Sequence, residues 1–124
     1  MIKTKKAPTG EEIASTIVEG ILEKKGKDVR RLDLRNLENA MAEYMVICHG
    51  DSDRQVAAIA DSVEEFMFKT HHEKPSLTEG KSEGEWILID FFNVIVHIFK
   101  AEKRAFYGVE ELWGDAEIKN YQSA

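Results

Sequence analysis

Apolar residues recur in two rhythms along this chain, and the switches between them mark its elements. Ile13, Ile17 and Ile21 stand four apart, with Ala14, Val18 and Leu22 beside them. A single stripe at that spacing predicts a helix over residues 10–25. Thr9 and Glu12 have the spacing of a capping box, and Gly26 is a suitable stop. In DVRRLDL, Leu32 and Leu34 alternate with Arg31 and Asp33, which predicts a strand exposed on one face. NLENA then turns the chain. EYMVICH is almost continuously apolar, as a central strand is. Val56, Ile59, Ala60, Val63, Phe66 and Met67 return to spacings of three and four. They predict a second helix from 53 to about 70, which Pro75 prevents from continuing.

Beyond Pro75, Leu77 sits in a short strand and TEGKSEGE is a loop. WILID and VIVHIF flank FFN as a hairpin, and AEKRAFYGVEELWGD closes the chain with helical turns around Gly108. This order predicts the α/β class: a mixed β-sheet of four to five strands flanked by helices, in the order α-β-β-α-β-β-β-α. A length of 124 residues suits one such domain. Its expected limits are 10–118, between a flexible N-terminal tail, 1–9, and a C-terminal tail, 119–124.

Composition narrows the function classes. With 43% hydrophobic and 32% charged residues, the chain builds a core and carries a water-compatible surface. No apolar run reaches the ~18–20 residues of a membrane span, and MIKTKKAPTG lacks the apolar stretch of a secretory signal. Cys48 is the single cysteine, so no intrachain disulfide forms and a cytoplasmic location is expected. Cys48 itself reads as a small buried hydrophobe. Net charge is -6, which opposes direct binding to a nucleic acid backbone and favours a basic partner.

The densest candidate chemistry lies in HGDSDRQV. Asp51 and Asp53 have the spacing of a metal-holding pair, as in a metal-dependent nucleotidyltransferase. No third carboxylate is demanded by the pattern, and no Gly-rich phosphate loop with a Lys accompanies it. The local reading is helix capping. Ser52 and Gln55 have capping-box spacing, Asp53 falls in the first turn where the helix dipole favours an anion, and Gly50 lets the strand turn. Arg54 remains unexplained. An arginine in a first turn opposes the dipole, so a carboxylate partner from a nearby strand end is expected.

No His, Cys or carboxylate set has zinc spacing, and no nucleophile, base and orienter fall together, so neither enzyme nor cofactor is expected. His71 and His72 end a helix, where a cation is favoured. His97 shares a strand face with Ile95 and Phe99 and reads first as a structural histidine.

The aromatic residues point to an interface. Trp86, Phe91, Phe92, Phe99, Phe106, Tyr107 and Trp113 crowd the last third of the chain. Phe99 and Phe106 read as core. If Ile87 and Ile89 face the core, alternation puts Trp86, Leu88 and Asp90 on the opposite face. A tryptophan among carboxylates on such a face has the character of an interface anchor. Tyr107 and Trp113, beside Glu110 and Glu111, either extend it or tuck a C-terminal helix onto the sheet.

Taken in order, DVRRLDLRNL, EYMVICHGDSDRQVAAIADSVEE, KPSLTEGKSEGEWILIDFFNVIVHIF and AEKRAFYGVEELW resemble the ribosomal silencing factor, or Iojap-related, family over about Ile13 to Asp115. The resemblance implies a sheet shaped like that of nucleotidyltransferases but without their activity. It implies binding to the large ribosomal subunit through ribosomal protein number fourteen of that subunit. It also implies a block to small-subunit joining when nutrients are scarce, and a possible homodimer when free. The family's Gly-x-Ser-x-Arg stands here as Gly50, Ser52 and Arg54, with the aspartates in its variable gaps. Gly84, Glu85 and Trp86 match its Gly-Glu-Trp, and Asp90 to Val94 its hairpin, with Asn93 where Asp is usual. His97 and the Arg104, Phe106, Tyr107 group match its later motifs. The expected partner-binding residues are Trp86, Asp90, His97, Arg104, Tyr107 and Trp113.

Overall fold

A computed structural model describes residues 7–121. Its first helix, α1 (Gly10–Glu23), begins at the predicted capping box: Thr9 Oγ1 accepts from Glu12 N–H and Glu12 Oε1 accepts from Thr9 N–H. The stop differs in detail from expectation. Lys25 takes the left-handed conformation (φ 60°). Gly26 is needed for space, since a Cβ there would lie 2.3 Å from Ile21 Cγ2.

Strands β1 (Lys27–Asp33) and β2 (Tyr44–Gly50) follow, then helix α2 (Asp53–His71) and strand β3 (Leu77–Glu79). The hairpin is β4 (Trp86–Asp90) and β5 (Val94–Lys100). A short helix α3 (Ala101–Tyr107), a 3-10 turn (Val109–Trp113) and strand β6 (Glu117–Tyr121) end the described chain. The sheet order is β3-β4-β5-β2-β1-β6. The β2–β5 pair is parallel and the other pairs are antiparallel. The α/β class and mixed sheet stand as expected, with six strands rather than four or five. Residues 119–121, expected in the C-terminal tail, belong to β6 and pair with β1. EIKNY is polar on an edge, with Ile118 half-exposed, so it carries little of the apolar signal that reveals a strand. Residues 1–6 and 122–124 of the expected tails lie outside the described residues.

Both helices cover one face of the sheet. Ile13, Ile17 and Ile21 of α1 meet Val56, Ile59 and Val63 of α2 and the strand residues Val46, Cys48, Ile87, Ile89, Val96 and Ile98 in one apolar cluster. The helices approach closely at Gly20, where a Cβ would lie 3.1 Å from Ser62 O, and Ser62 Oγ donates to Gly20 O at 2.7 Å. Cys48 is buried there, and burial pushes its thiol up to about 12, so it is no nucleophile at neutral pH.

The opposite face is covered on only one side. Leu32, Leu34, Met45, Ile47, Phe99 and Val109 form a second, smaller cluster, against which Leu37, Ala40, Trp86 and Trp113 pack. The segment after β1 and the 3-10 turn supply that cover. Leu77, Leu88 and Ile95, toward the β3 edge, belong to neither cluster.

Candidate functional site: the open half of the sheet

Strand alternation places the predicted anchor. Ile87 and Ile89 are fully buried against the helices, so Trp86, Leu88 and Asp90 face the other way. Trp86 pairs with Phe99 across the hairpin, and Leu88 with His97. The Trp86 ring stacks on Phe99 at 5.1 Å, and Tyr107 reaches over from α3 to 4.7 Å from it. Its indole Nε1–H donates to His97 Nδ1 at 3.0 Å. Indole N–H is only a donor, so Nδ1 accepts and the imidazole carries its proton on Nε2. His97 is 6% exposed, and burial pushes its pKa down to about 4. A neutral histidine thus holds the tryptophan from behind, while part of the indole stays open to solvent.

Asp90 has a local task as well. Its Oδ1 accepts from Phe92 N–H at 2.7 Å, and its carbonyl accepts from Ser76 N–H and Oγ–H. The hairpin tip is tight. Asn93 N–H donates to Phe91 O at 3.0 Å around Phe92, whose φ is 71°. That is a γ-turn with positive φ, a strained conformation for a residue with a Cβ. Phe92 is nevertheless 73% exposed. The Asn93 carbonyl accepts from both Glu43 and Tyr44 N–H and so starts the parallel pairing of β2 with β5.

Arg104 lies inside the chain, 8% exposed. Its Nε and Nη2 grip the Glu110 carboxylate at 3.0 and 3.1 Å, and Nη1 donates to Asp28 O at 2.7 Å and to His49 Nδ1 at 3.0 Å. Burial, and then the guanidinium beside it, hold the His49 imidazole below its ordinary pKa. Burial alone would raise the Glu110 carboxyl, but Arg104 and Arg30 together bring it below the usual value. The sequence could not show this, because the partners lie up to 76 residues away.

Trp113 is half-buried and packs against the smaller cluster, so it is a rim residue of that core. Phe106, expected in the core, is 76% exposed, because α3 buries a single residue and that residue is Arg104.

Asp51 and Asp53 are separated by their partners. Asp51 pairs with Lys27 at one side, and Asp53 with Lys100 Nζ at 3.1 Å on the other. Among the described residues no three His, Cys, Asp or Glu converge on a metal-sized space. The capping expectation holds in half. Ser52 Oγ accepts from Gln55 N–H, but the Gln55 side chain accepts from Asp51 N–H and donates to the carbonyls of Lys24 and Lys25. Gln55 therefore ties the start of α2 to the end of α1. The carboxylate expected for Arg54 is not there. Arg54 is exposed and has no ion-pair partner among the described residues. His71 at the end of α2 has a specific partner: Thr16 Oγ1 donates to Glu12 O and meets His71 Nε2 at 2.8 Å.

A family model described as "Ribosomal silencing factor during starvation" matches residues 7–124. The chain belongs to this family. A protein of Bacillus subtilis named ribosomal silencing factor RsfS is 36% identical over 96 residues, which cover 77% of this chain and 80% of that protein. The chloroplastic protein Iojap of Zea mays is 31% identical over 103 residues, 83% of this chain and 44% of that longer protein. Among solved structures, a crystal structure of a Chromobacterium violaceum protein matches with a TM-score of 0.81 and 33% identity. It covers 94% of this chain and 97% of that one. Family membership makes this a ribosome-associated regulatory protein. No helix among the described residues is long and apolar enough to cross a membrane.

Proposed function

We propose that this protein binds the large ribosomal subunit through ribosomal protein number fourteen of that subunit and blocks joining of the small subunit. The observation that carries this reading is the uncovered half of the second sheet face. Trp86 is half-buried there and held by His97, Tyr107 lies against it, and Leu88, Ile95 and Leu77 continue the apolar surface outside both core clusters. Glu79, Glu85 and Asp90 border it with negative charge. An apolar centre with an acidic rim suits a basic protein charged for contact with RNA.

On this reading Trp86, Asp90, Tyr107 and Trp113 meet the partner, while His97 and Arg104, expected to bind it as well, are buried and instead hold the others in place. Gly50, Ser52 and Arg54 belong to the strand-to-helix turn at the same end of the sheet as Trp86, where Gly50 pairs with Lys100 and Trp86 with Phe99. Repression requires no chemistry: a body seated where the small subunit must dock is a steric block. The action is cytoplasmic, and the free protein is a homodimer. Sedimentation with isolated subunits through a sucrose gradient tests both halves. The wild type should travel with large subunits and reduce the joined fraction. Trp86→Ala should do neither while keeping its circular dichroism spectrum. Undiminished binding by that variant would remove the proposed anchor.

A further inference from the structure

We propose that Arg104 is a positioning residue for the docking face: it pins α3, and through α3 it holds Tyr107 against Trp86. This rests on the docking face described above, but the pin itself follows from how α3 is attached.

Three features of α3 require an external hold. It has seven residues, about half the length at which an isolated helix becomes even marginal in water. Its first turn has no side-chain cap. Its one fully buried residue is Arg104, and Tyr107, which packs on Trp86 and Phe99, stays 40% exposed. Ordinary helix docking by an apolar stripe is therefore missing. In its place Arg104 reaches three separate parts of the chain. It grips Glu110 in the following 3-10 turn with a two-bond fork, the carbonyl of Asp28 at the start of β1, and His49 at the end of β2. Arg30 Nη1 shares Glu110 Oε1 at 3.0 Å, so the carboxylate is clamped from β1 as well. Asp28, whose carbonyl takes one of these bonds, has a φ of 48° beside a register shift in β1. The strand is locally bent where it receives the guanidinium. Lysine cannot substitute for this arrangement, because one ammonium cannot supply a planar fork and a third direction together.

What the pin delivers is aromatic. Tyr107 lies 4.7 Å from Trp86 and 6.1 Å from Phe99, and exposed Phe106 stands against Tyr107 at 5.2 Å. With α3 released, Tyr107 leaves the indole and the partner meets an incomplete surface, although both core clusters are intact.

The test combines amide hydrogen exchange with large-subunit binding. In Arg104→Met, the amides of Ala105 to Gly108, which close the α3 turns, should exchange about tenfold faster or more, as loss of a charge-assisted hydrogen bond implies. Amides of β2 and β5 should be unchanged. Affinity for large subunits should fall, and in a Tyr107→Ala background Arg104→Met should cause no further fall, because the arginine acts through that tyrosine. Unchanged α3 exchange would overturn the pin. Additive losses from Arg104→Met and Tyr107→Ala would show instead that the arginine acts independently of the tyrosine. Should Arg104→Met not fold, Glu110→Gln removes the gripped carboxylate and is judged by the same exchange and the same coupling to Tyr107. Retained binding by Trp86→Ala would count against the docking face alone, since α3 exchange does not depend on the ribosome.

Discussion

His97 gives this fold a pH dependence whose size follows from its burial. An ordinary histidine titrates near 6.5, and burial pushes this one down to about 4. The unfolded chain therefore takes up a proton at His97 throughout that window while the folded chain does not. Stability rises with pH wherever the unfolded state holds more protons. The contribution is complete above 6.5 and is lost as pH falls toward 4. Each pH unit inside the window corresponds to about 1.4 kcal/mol. Between pH 7 and pH 5 the loss from His97 alone is about 2 kcal/mol, and by pH 4 it approaches 3 kcal/mol. For a chain of this length the first figure corresponds to a fall of about 7 °C in Tm. The assay is equilibrium urea unfolding at pH 7 and pH 5 for the wild type and for His97→Gln. Glutamine keeps an acceptor for the Trp86 indole and does not titrate. His49 shifts in the same direction, and Asp33, Asp51, Glu65 and Glu110 shift downward. These groups titrate in both proteins and cancel in the difference. The wild type should lose about 2 kcal/mol more than the variant over this interval. Equal losses would refute the assignment of a buried neutral imidazole behind Trp86.

Two further predictions concern backbone geometry. Phe92→Gly should raise stability by about 1 kcal/mol in urea unfolding, since the residue is exposed and glycine relieves the positive φ of the hairpin tip. Destabilisation by that variant would mean that the Phe92 ring packs in the free protein. Gln55→Ala should cost about 1–2 kcal/mol, because it removes the acceptor for Asp51 N–H and the donor to the carbonyls that end α1. Thermal unfolding followed by circular dichroism checks it, and a change within about 0.5 kcal/mol would place the junction of α1 and α2 elsewhere.

The elements of this protein are legible in its sequence because their signals are local. The isoleucine stripe of α1, the capping box at Thr9 and Glu12, the apolar run of β2 and the hairpin about FFN each lie within one stretch of chain. The alternation of Trp86 with Ile87 also assigned the two sheet faces, because strand geometry sends neighbours to opposite sides. Much of the family resemblance rides on the same stretches. Tertiary structure alone decided what depends on distant partners. Lys27 and Lys100 divide the aspartates at 51 and 53, and no spacing within HGDSDRQV announces either lysine. Arg104 turns inward and Phe106 outward because hydrogen-bond acceptors from β1, β2 and the 3-10 turn converge on one side of α3. Strand β6 exists because β1 offers it an edge, although its own residues are mostly polar. Local periodicity says which side of an element is apolar. Only the folded chain determines which apolar side is left without a cover, and here that is the surface around Trp86.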